Sequence, residues 1–192
     1  MKLFTSVVVA ASILGIATFA KAADLSYNAY IITISGPIIV GDLGRFKSFL
    51  GAHIETEVVI VGESPGGILI EAMAIGEAIN RAGLKTIVAG RCYSACALIA
   101  MSGVKKGLNE SAVLAFHSPK NAGTGKLSTA GAALSGAYLH GLGIGYDFIY
   151  AAHSTEGKML VIKPSDIDFL ADEWGVYFFP VTTEAEVEFF LK

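Results

Sequence analysis

The sequence has 192 residues, 53% of them hydrophobic and 16% charged, with a net charge of −3. That length is enough for one domain with a full core. A mildly acidic balance without a basic cluster excludes nucleic acid as an electrostatic partner.

Lys2, the uncharged apolar run from Leu3 to Ala20 and the triplet Ala20-Lys21-Ala22 have the pattern of a secretory leader cleaved after Ala22. An uncleaved anchor is the alternative, since the run is about long enough to span a bilayer; the small-x-small triplet favours cleavage. Residues 1–22 carry Lys2 and Lys21 and no acid, so their removal takes the net charge to −5 and leaves residues 23–192 as a single α/β domain. No later segment is long and apolar enough to span, because His140 and Asp147 interrupt the Ala-rich region from Leu127 to Ala152. The expected product is a soluble exported protein, periplasmic in a Gram-negative source, with no stable membrane span after cleavage.

Tyr27 to Ser35 is β-rich and reads as a first strand, which Gly36-Pro37 turns. Ile38-Ile39-Val40 reads as a short second strand. Asp42 can cap a helix with Leu43, Phe46 and Leu50 at helical spacing. Glu57 to Val61 predicts a buried strand that runs into Ser64-Pro65-Gly66-Gly67. The spacing of Ile70, Met73, Ala74, Ile75 and Ile79 predicts a helix over Ile68–Ala82, which Gly83 ends. Lys85 to Ala89 begins another strand and leads to Ser94, where an all-apolar helix starts. A polar turn over 103–110 separates it from a strand at Ala112–Phe116, with His117 at that strand's C-terminal end. A loop over Ser118–Lys126 precedes two helices, Leu127–His140 and Tyr146–His153, and the tail predicts a short helix and then a strand. Strand and helix alternate throughout, so the expected class is α/β with a mostly parallel sheet.

Cys92 and Cys96 flank Ser94 symmetrically. Four residues apart along one regular helix, their Cβ atoms would be too distant for a bridge, although a turn could bring them together. Two buried free thiols are therefore the expected state, with a Cys92–Cys96 disulfide as the alternative in an oxidising compartment. No further Cys or His stands at ligand spacing, so no metal site is expected.

In parallel α/β sheets, functional groups gather at the carboxyl ends of strands. Three such ends carry Gly66-Gly67, Ser94 and His117. A Gly-Gly pair lets backbone amides approach a substrate oxygen, and with the Ala95 amide it could form an oxyanion hole. Ser94 can act as nucleophile and His117 as its base. For Ser94 alone the competing reading is a small packing residue or a helix N-cap. His53, His140 and His153 have no matching partner. Lys105 and Lys106 fit a solvated turn.

The motifs S-P-G-G, C-Y-S-A-C-A-L-I-A-M-S-G and A-F-H, with I-x-I-x-G-P-I near the start and I-G-E-A-I-N-R-A-G between, resemble the ClpP/crotonase superfamily. The resemblance runs from about Tyr30 to Gly175 and is strongest to exported Clp-protease proteolytic-subunit-like serine peptidases. It implies a spiral of ββα units with a mostly parallel sheet, homo-oligomeric assembly and a Ser94/His117 catalytic pair. It also implies Gly67 and Ala95 as oxyanion donors, with Gly66 shaping the turn. For the orienting acid it offers two positions: spacing from His117 favours Asp166, the adjoining Phe-Leu favours Asp168, and a helix cap is the competing role for either. The chain departs from the family in the cysteines around its serine. Serine-lysine relatives are the reason to watch Lys105 and Lys106.

Three functions are open at this point. The first is an exported serine peptidase acting on peptides or unfolded proteins, needing no cofactor and, outside the cytoplasm, no ATP-driven unfoldase. The second is a non-catalytic binding or assembly protein that retains the fold. The third, acyl-CoA chemistry of the crotonase type, is opposed by the export signal and by the lack of a glutamate pair.

Overall fold

The computed structural model describes residues 21–153 and 158–192, and residues 1–20 of the expected leader at 1–22 lie outside them. Among the described residues no helix is long and apolar enough to cross a membrane. Tyr27–Ser35 does not form one strand. Ala29 and Tyr30 adopt φ of 41° and 72°, and this turn splits the segment into an antiparallel hairpin of β1 (Asp24–Asn28) and β2 (Ile31–Ser35).

From β2 onward the chain repeats one manoeuvre. A strand runs in a large sheet, the next few residues pair in a second layer, and a helix returns. The first turn of this spiral is β2, Ile38 and α1 (Asp42–Ala52); the second is β3 (Val58–Val61), Ser64 and α2 (Leu69–Arg81). The third is β4 (Lys85–Val88), β5 (Arg91–Tyr93) and α3 (Ala95–Ala100). The fourth is β6 (Lys106–Leu108), β7 (Val113–Phe116) and α4 (Thr129–Gly141). Ile38 to Val40, expected as a strand, contributes only the single bridge Ile38–Gly67. The remaining elements are α5 (Tyr146–His153), β8 (Leu160–Ile162), a 3₁₀ turn at Pro164–Asp166, α6 (Ile167–Trp174), β9 (Phe179–Pro180) and α7 (Glu184–Leu191).

The large sheet has the order β1-β2-β3-β4-β6-β9 and is parallel apart from its first hairpin. The small sheet is β5-β7-β8, with β5 and β7 parallel and β8 antiparallel to β7. A parallel sheet covered on both faces needs strands apolar on both sides, and Val58-Val59-Ile60-Val61 meets that need. Every residue of α3, Ala-Cys-Ala-Leu-Ile-Ala, is buried, as befits a helix apolar all round. Its small side chains let α2 and the strands close around it. Phe46 anchors α1, and Ile75 and Ile79 anchor α2, all three fully buried; burying one such side chain is worth about 1.5–3 kcal/mol.

A separate cluster of Val58, Ile87, Val181 and Phe190 seats α7 on the large sheet. Thr183 and Glu186 form a capping box at its start. Hydrogen bonds from Thr182 and Thr183 lower the Glu186 pKa to about 2. A carboxylate depressed in the folded state contributes stability above its unfolded pKa and loses it as pH falls through the folded value. Acidification from about pH 5 toward pH 2 should therefore loosen α7, and more so in wild type than in Glu186→Gln. Amide hydrogen exchange across residues 184–191 reads this directly.

Candidate active site

The second layer of the spiral brings the site together. Ser64 pairs with Cys92, Cys92 with Leu114, and Tyr93 with Ala115, all in parallel. The segments that end in Gly66-Gly67, Ser94 and His117 therefore lie side by side, with neighbouring backbones about 4.8 Å apart. Ser94 N–H donates to Ala115 O at 2.8 Å, which sets the serine beside the end of β7.

Ser94 sits at φ 57°, ψ −121°, an uncommon conformation for a side-chain-bearing residue. It precedes α3, but its side chain makes no capping hydrogen bond, which removes the N-cap reading. Strain of this kind at a strand-helix junction is a hallmark of functional turns. Gly66 backs the turn: a Cβ there would lie 2.6 Å from Tyr93 O and 2.8 Å from Ser94 Cβ. At Gly67, with φ 149°, a Cβ would lie 2.0 Å from Ile38 O. Ile38 N–H donates to Gly66 O and Ile68 N–H to Ile38 O, each at 2.9 Å, and these bonds hold the Gly-Gly turn. The Gly67 and Ala95 amides donate to no acceptor among the described residues, so both can serve an incoming oxygen.

The cysteines form a disulfide, contrary to the expectation of free thiols. That expectation assumed one continuous helix. Cys92 instead lies on β5 and Cys96 in the first turn of α3, and the sharp turn at Ser94 brings their Cα atoms to 5.3 Å. The bridge thus staples the nucleophile turn from both sides. Loop-closure entropy for so short a span predicts that Cys92→Ala with Cys96→Ala costs about 2 kcal/mol. Thermal denaturation should show a drop of roughly 4–8 °C. Both sulfurs are buried, so a reductant should act on the native wild type only slowly.

His117 is half-buried, and its Nδ1 lies 2.8 Å from the Ser118 carbonyl oxygen. A carbonyl only accepts, so Nδ1 carries the proton and Nε2 keeps its lone pair, the tautomer a general base needs. The Ser118 hydroxyl in turn donates to the His153 carbonyl at the end of α5. Ser94 and His117 face one cleft of about 570 Å³, together with Gly67 and Ala95. No direct hydrogen bond joins Ser94 Oγ to the His117 ring.

Asp166 and Asp168 are not brought to His117. β8 runs antiparallel to β7 with Phe116 opposite Leu160 and Leu114 opposite Ile162. The chain therefore leaves β8 at Ile162, the end of the pairing opposite to that of His117. The Asp166 carboxylate accepts from Lys163 N–H at 2.8 Å and Ser165 Oγ at 3.3 Å, the local capping role. Asp168 is exposed in the first turn of α6. Neither lines the cleft, and none of the described residues that line it is acidic. Asp166→Asn and Asp168→Asn should each leave peptide hydrolysis within about twofold of wild type, while losing the Asp166 cap costs about 1 kcal/mol. Steady-state kinetics and melting curves on the two variants separate these effects.

Three cleft residues carry no signal in the sequence: Lys120, Ser135 and His153. His153, without a partner at sequence level, has Nδ1 at 2.8 Å from Ile149 O and Nε2 at 2.7 Å from the buried Ser135 hydroxyl. Its place follows from how α5 packs on α4, which residue spacing does not encode. His53 stacks on Tyr27 and His140 on Tyr146, away from the cleft. Lys106 is held in β6, donating to Gly103 O at 3.2 Å, and burial lowers its pKa. Neither Lys105 nor Lys106 lines the serine's cleft.

The Clp protease family model matches residues 48–133, a span that includes Gly66, Gly67, Ser94 and His117. Solved structures share the fold at low identity. ClpP1 from Listeria monocytogenes aligns with a TM-score of 0.62 at 14% identity, over 85% of this chain and 95% of that one. The 1510-N membrane-bound stomatin-specific protease, as a mutant in complex with a substrate peptide, aligns with a TM-score of 0.61 at 15% identity, over 82% of this chain and 77% of that one. The ClpP catalytic domain from Plasmodium falciparum gives 0.59 at 17% identity, over 81% and 86%. No curated protein matches the sequence. The fold is ClpP/crotonase-like.

Proposed function

We propose that this chain, with its Clp protease family match over residues 48–133 and its ClpP-like fold, is a serine peptidase with Ser94 as nucleophile and His117 as base. One observation carries the reading: Ser94, strained and free of any capping role, shares a cleft with His117 and the unpaired Gly67 and Ala95 amides. Ser94 Oγ attacks the scissile carbonyl and its proton passes to His117 Nε2. The carbonyl oxygen, now anionic, is received by the Gly67 and Ala95 amides. Collapse of the tetrahedral species breaks the C–N bond, and His117 returns the proton to the leaving amine. Water, deprotonated by the same nitrogen, then hydrolyses the acyl ester. The Ser118 carbonyl takes the orienting part of the triad acid, without its negative charge. A serine-directed fluorophosphonate tests the assignment: labelling of wild type and none of Ser94→Ala supports it, whereas a folded, unlabelled wild type overturns it.

The substrates are peptides or unfolded proteins, and the chain works outside the cytoplasm as a homo-oligomer. The leader pattern and the Cys92–Cys96 disulfide both support an oxidising compartment. A cleft lacking an acid favours, as the second reading, a binding or assembly protein that keeps the fold without turnover. It predicts that Ser94→Ala leaves peptide binding and any biological phenotype intact.

A further inference from the structure

Two independent features meet at Ala23. In the sequence it is the first residue after the Ala20-Lys21-Ala22 cleavage triplet. In the fold it is only 1% exposed, and its nitrogen lies 3.3 Å from Oδ2 of Asp42, a carboxylate that is itself only 3% exposed. The same carboxylate accepts from Ile39 N–H at 2.8 Å and from Arg45 Nη1 at 2.7 Å, and Arg45 Nη1 also donates to Ala23 O at 2.7 Å. Residue 23 is thus held by both its nitrogen and its oxygen. Close by, at the start of α1, the Glu71 carboxylate accepts from Gly41 N–H and Leu43 N–H at 3.1 and 2.8 Å. Asp42 pairs with Arg45, while Glu71 is met there by backbone amides alone.

We infer that this is a docking site for the mature N-terminus, in which the Ala23 α-ammonium freed by leader cleavage pairs with buried Asp42. Hydrolysis by a leader-cleaving peptidase adds one water across the Ala22–Ala23 bond, leaving a carboxylate on Ala22 and an amine on Ala23. That amine, with an ordinary pKa near 8, takes a proton. A single amide N–H becomes a charged group with three donors, and the hydrogen bond to Asp42 becomes a charge-assisted pair. The pair ties the edge hairpin β1–β2 to α1. Residue 23 already sits against Asp42 with Lys21 and Ala22 attached, so cleavage leaves its position unchanged and alters its charge. The inference rests on cleavage after Ala22 and is independent of the peptidase reading.

The test uses the full chain expressed with its leader in a Gram-negative host and recovered from the periplasm. Intact mass should show a product beginning at Ala23; a product beginning elsewhere overturns the inference. Acetylation with an amine-reactive ester at neutral pH then reads the docking. A carboxylate partner that raises the ammonium pKa by one unit lowers the reactive amine about tenfold. The Ala23 amine should label at least about tenfold more slowly in the native protein than after urea unfolding. Asp42→Asn should abolish that protection. Should Asp42→Asn fail to fold, a glycine inserted between Ala22 and Ala23 moves the amine out of the site and should abolish it equally. Equal labelling of native and unfolded wild type, or full protection in the glycine-insertion chain, overturns the inference. Fluorophosphonate labelling of Ser94 on the same samples reports the peptidase reading separately.

Discussion

Replacing Ser94 by alanine is expected to lower kcat/KM on peptide substrates by roughly 10³- to 10⁵-fold. Complete removal of a serine-histidine-acid machinery costs about 10⁶-fold, and loss of the acid by itself about 10⁴-fold, largely by putting the histidine in the wrong tautomer. Here the Ser118 carbonyl, 2.8 Å from His117 Nδ1, enforces the right tautomer but supplies no negative charge. A site with none of the acid's contribution would retain about 10²-fold of the roughly 10⁶-fold total (10⁶/10⁴). Here part is kept and part is absent, so the expected loss lies between about 10²- and 10⁶-fold. His117→Ala should fall in the same range, and the double variant should be no worse than either single one, because the two act as a unit. Ser94→Gly separates chemistry from folding. Relief of the strain at φ 57° is worth about 1 kcal/mol, and the extra freedom of glycine in the unfolded chain offsets a similar amount. That variant should melt close to wild type and yet take no fluorophosphonate. Steady-state kinetics and scanning calorimetry on the four variants and wild type check the set.

Gly67→Ala should be the most damaging single-methyl change in the site. Its Cβ would stand 2.0 Å from Ile38 O and 2.8 Å from Ile38 C, both backbone atoms, at a φ of 149°. No rotamer change relieves such a contact, so the Gly66–Ile38–Ile68 hydrogen bonds must yield. Losing two of them together with the backbone strain costs about 2–4 kcal/mol, and the melting temperature should fall by roughly 5–15 °C. The Gly67 amide moves with the turn, and loss of one oxyanion donor lowers kcat by about 10²–10³-fold. Gly44→Ala is the control. It lies in α1 with nothing within 4 Å of its added Cβ, and it should be neutral or slightly stabilising through helix propensity. A loss of kcat in Gly67→Ala at temperatures well below its melting point distinguishes a displaced donor from simple unfolding.

Much of the architecture was legible before any coordinates. The spacing of Ile75 and Ile79 marks a helix by its period, whereas the short apolar runs Val58–Val61 and Ala95–Ala100 differ by composition, the first β-branched throughout and the second rich in alanine. The glycine pair, Ser94 and His117 were legible too, since a strand end followed by a turn is a local signal. Element breaks were harder. Ala29 and Tyr30 turn the first strand back on itself in left-handed conformations that their side chains do not announce.

By itself, then, the sequence determined the α/β class and the order Gly67, Ser94, His117, because both reside in spacing along the chain. Tertiary structure decided what spacing cannot encode. The disulfide depends on Cys92 and Cys96 lying on different elements across a sharp turn. The fate of Asp166 depends on β8 pairing antiparallel to β7, which carries the chain away from His117. The entry of His153 and Ser135 into the cleft depends on how α5 packs on α4. The Ala23–Asp42 contact joins residues 19 positions apart. In each case the deciding quantity is a distance across the fold, and it is set by which surfaces pack together.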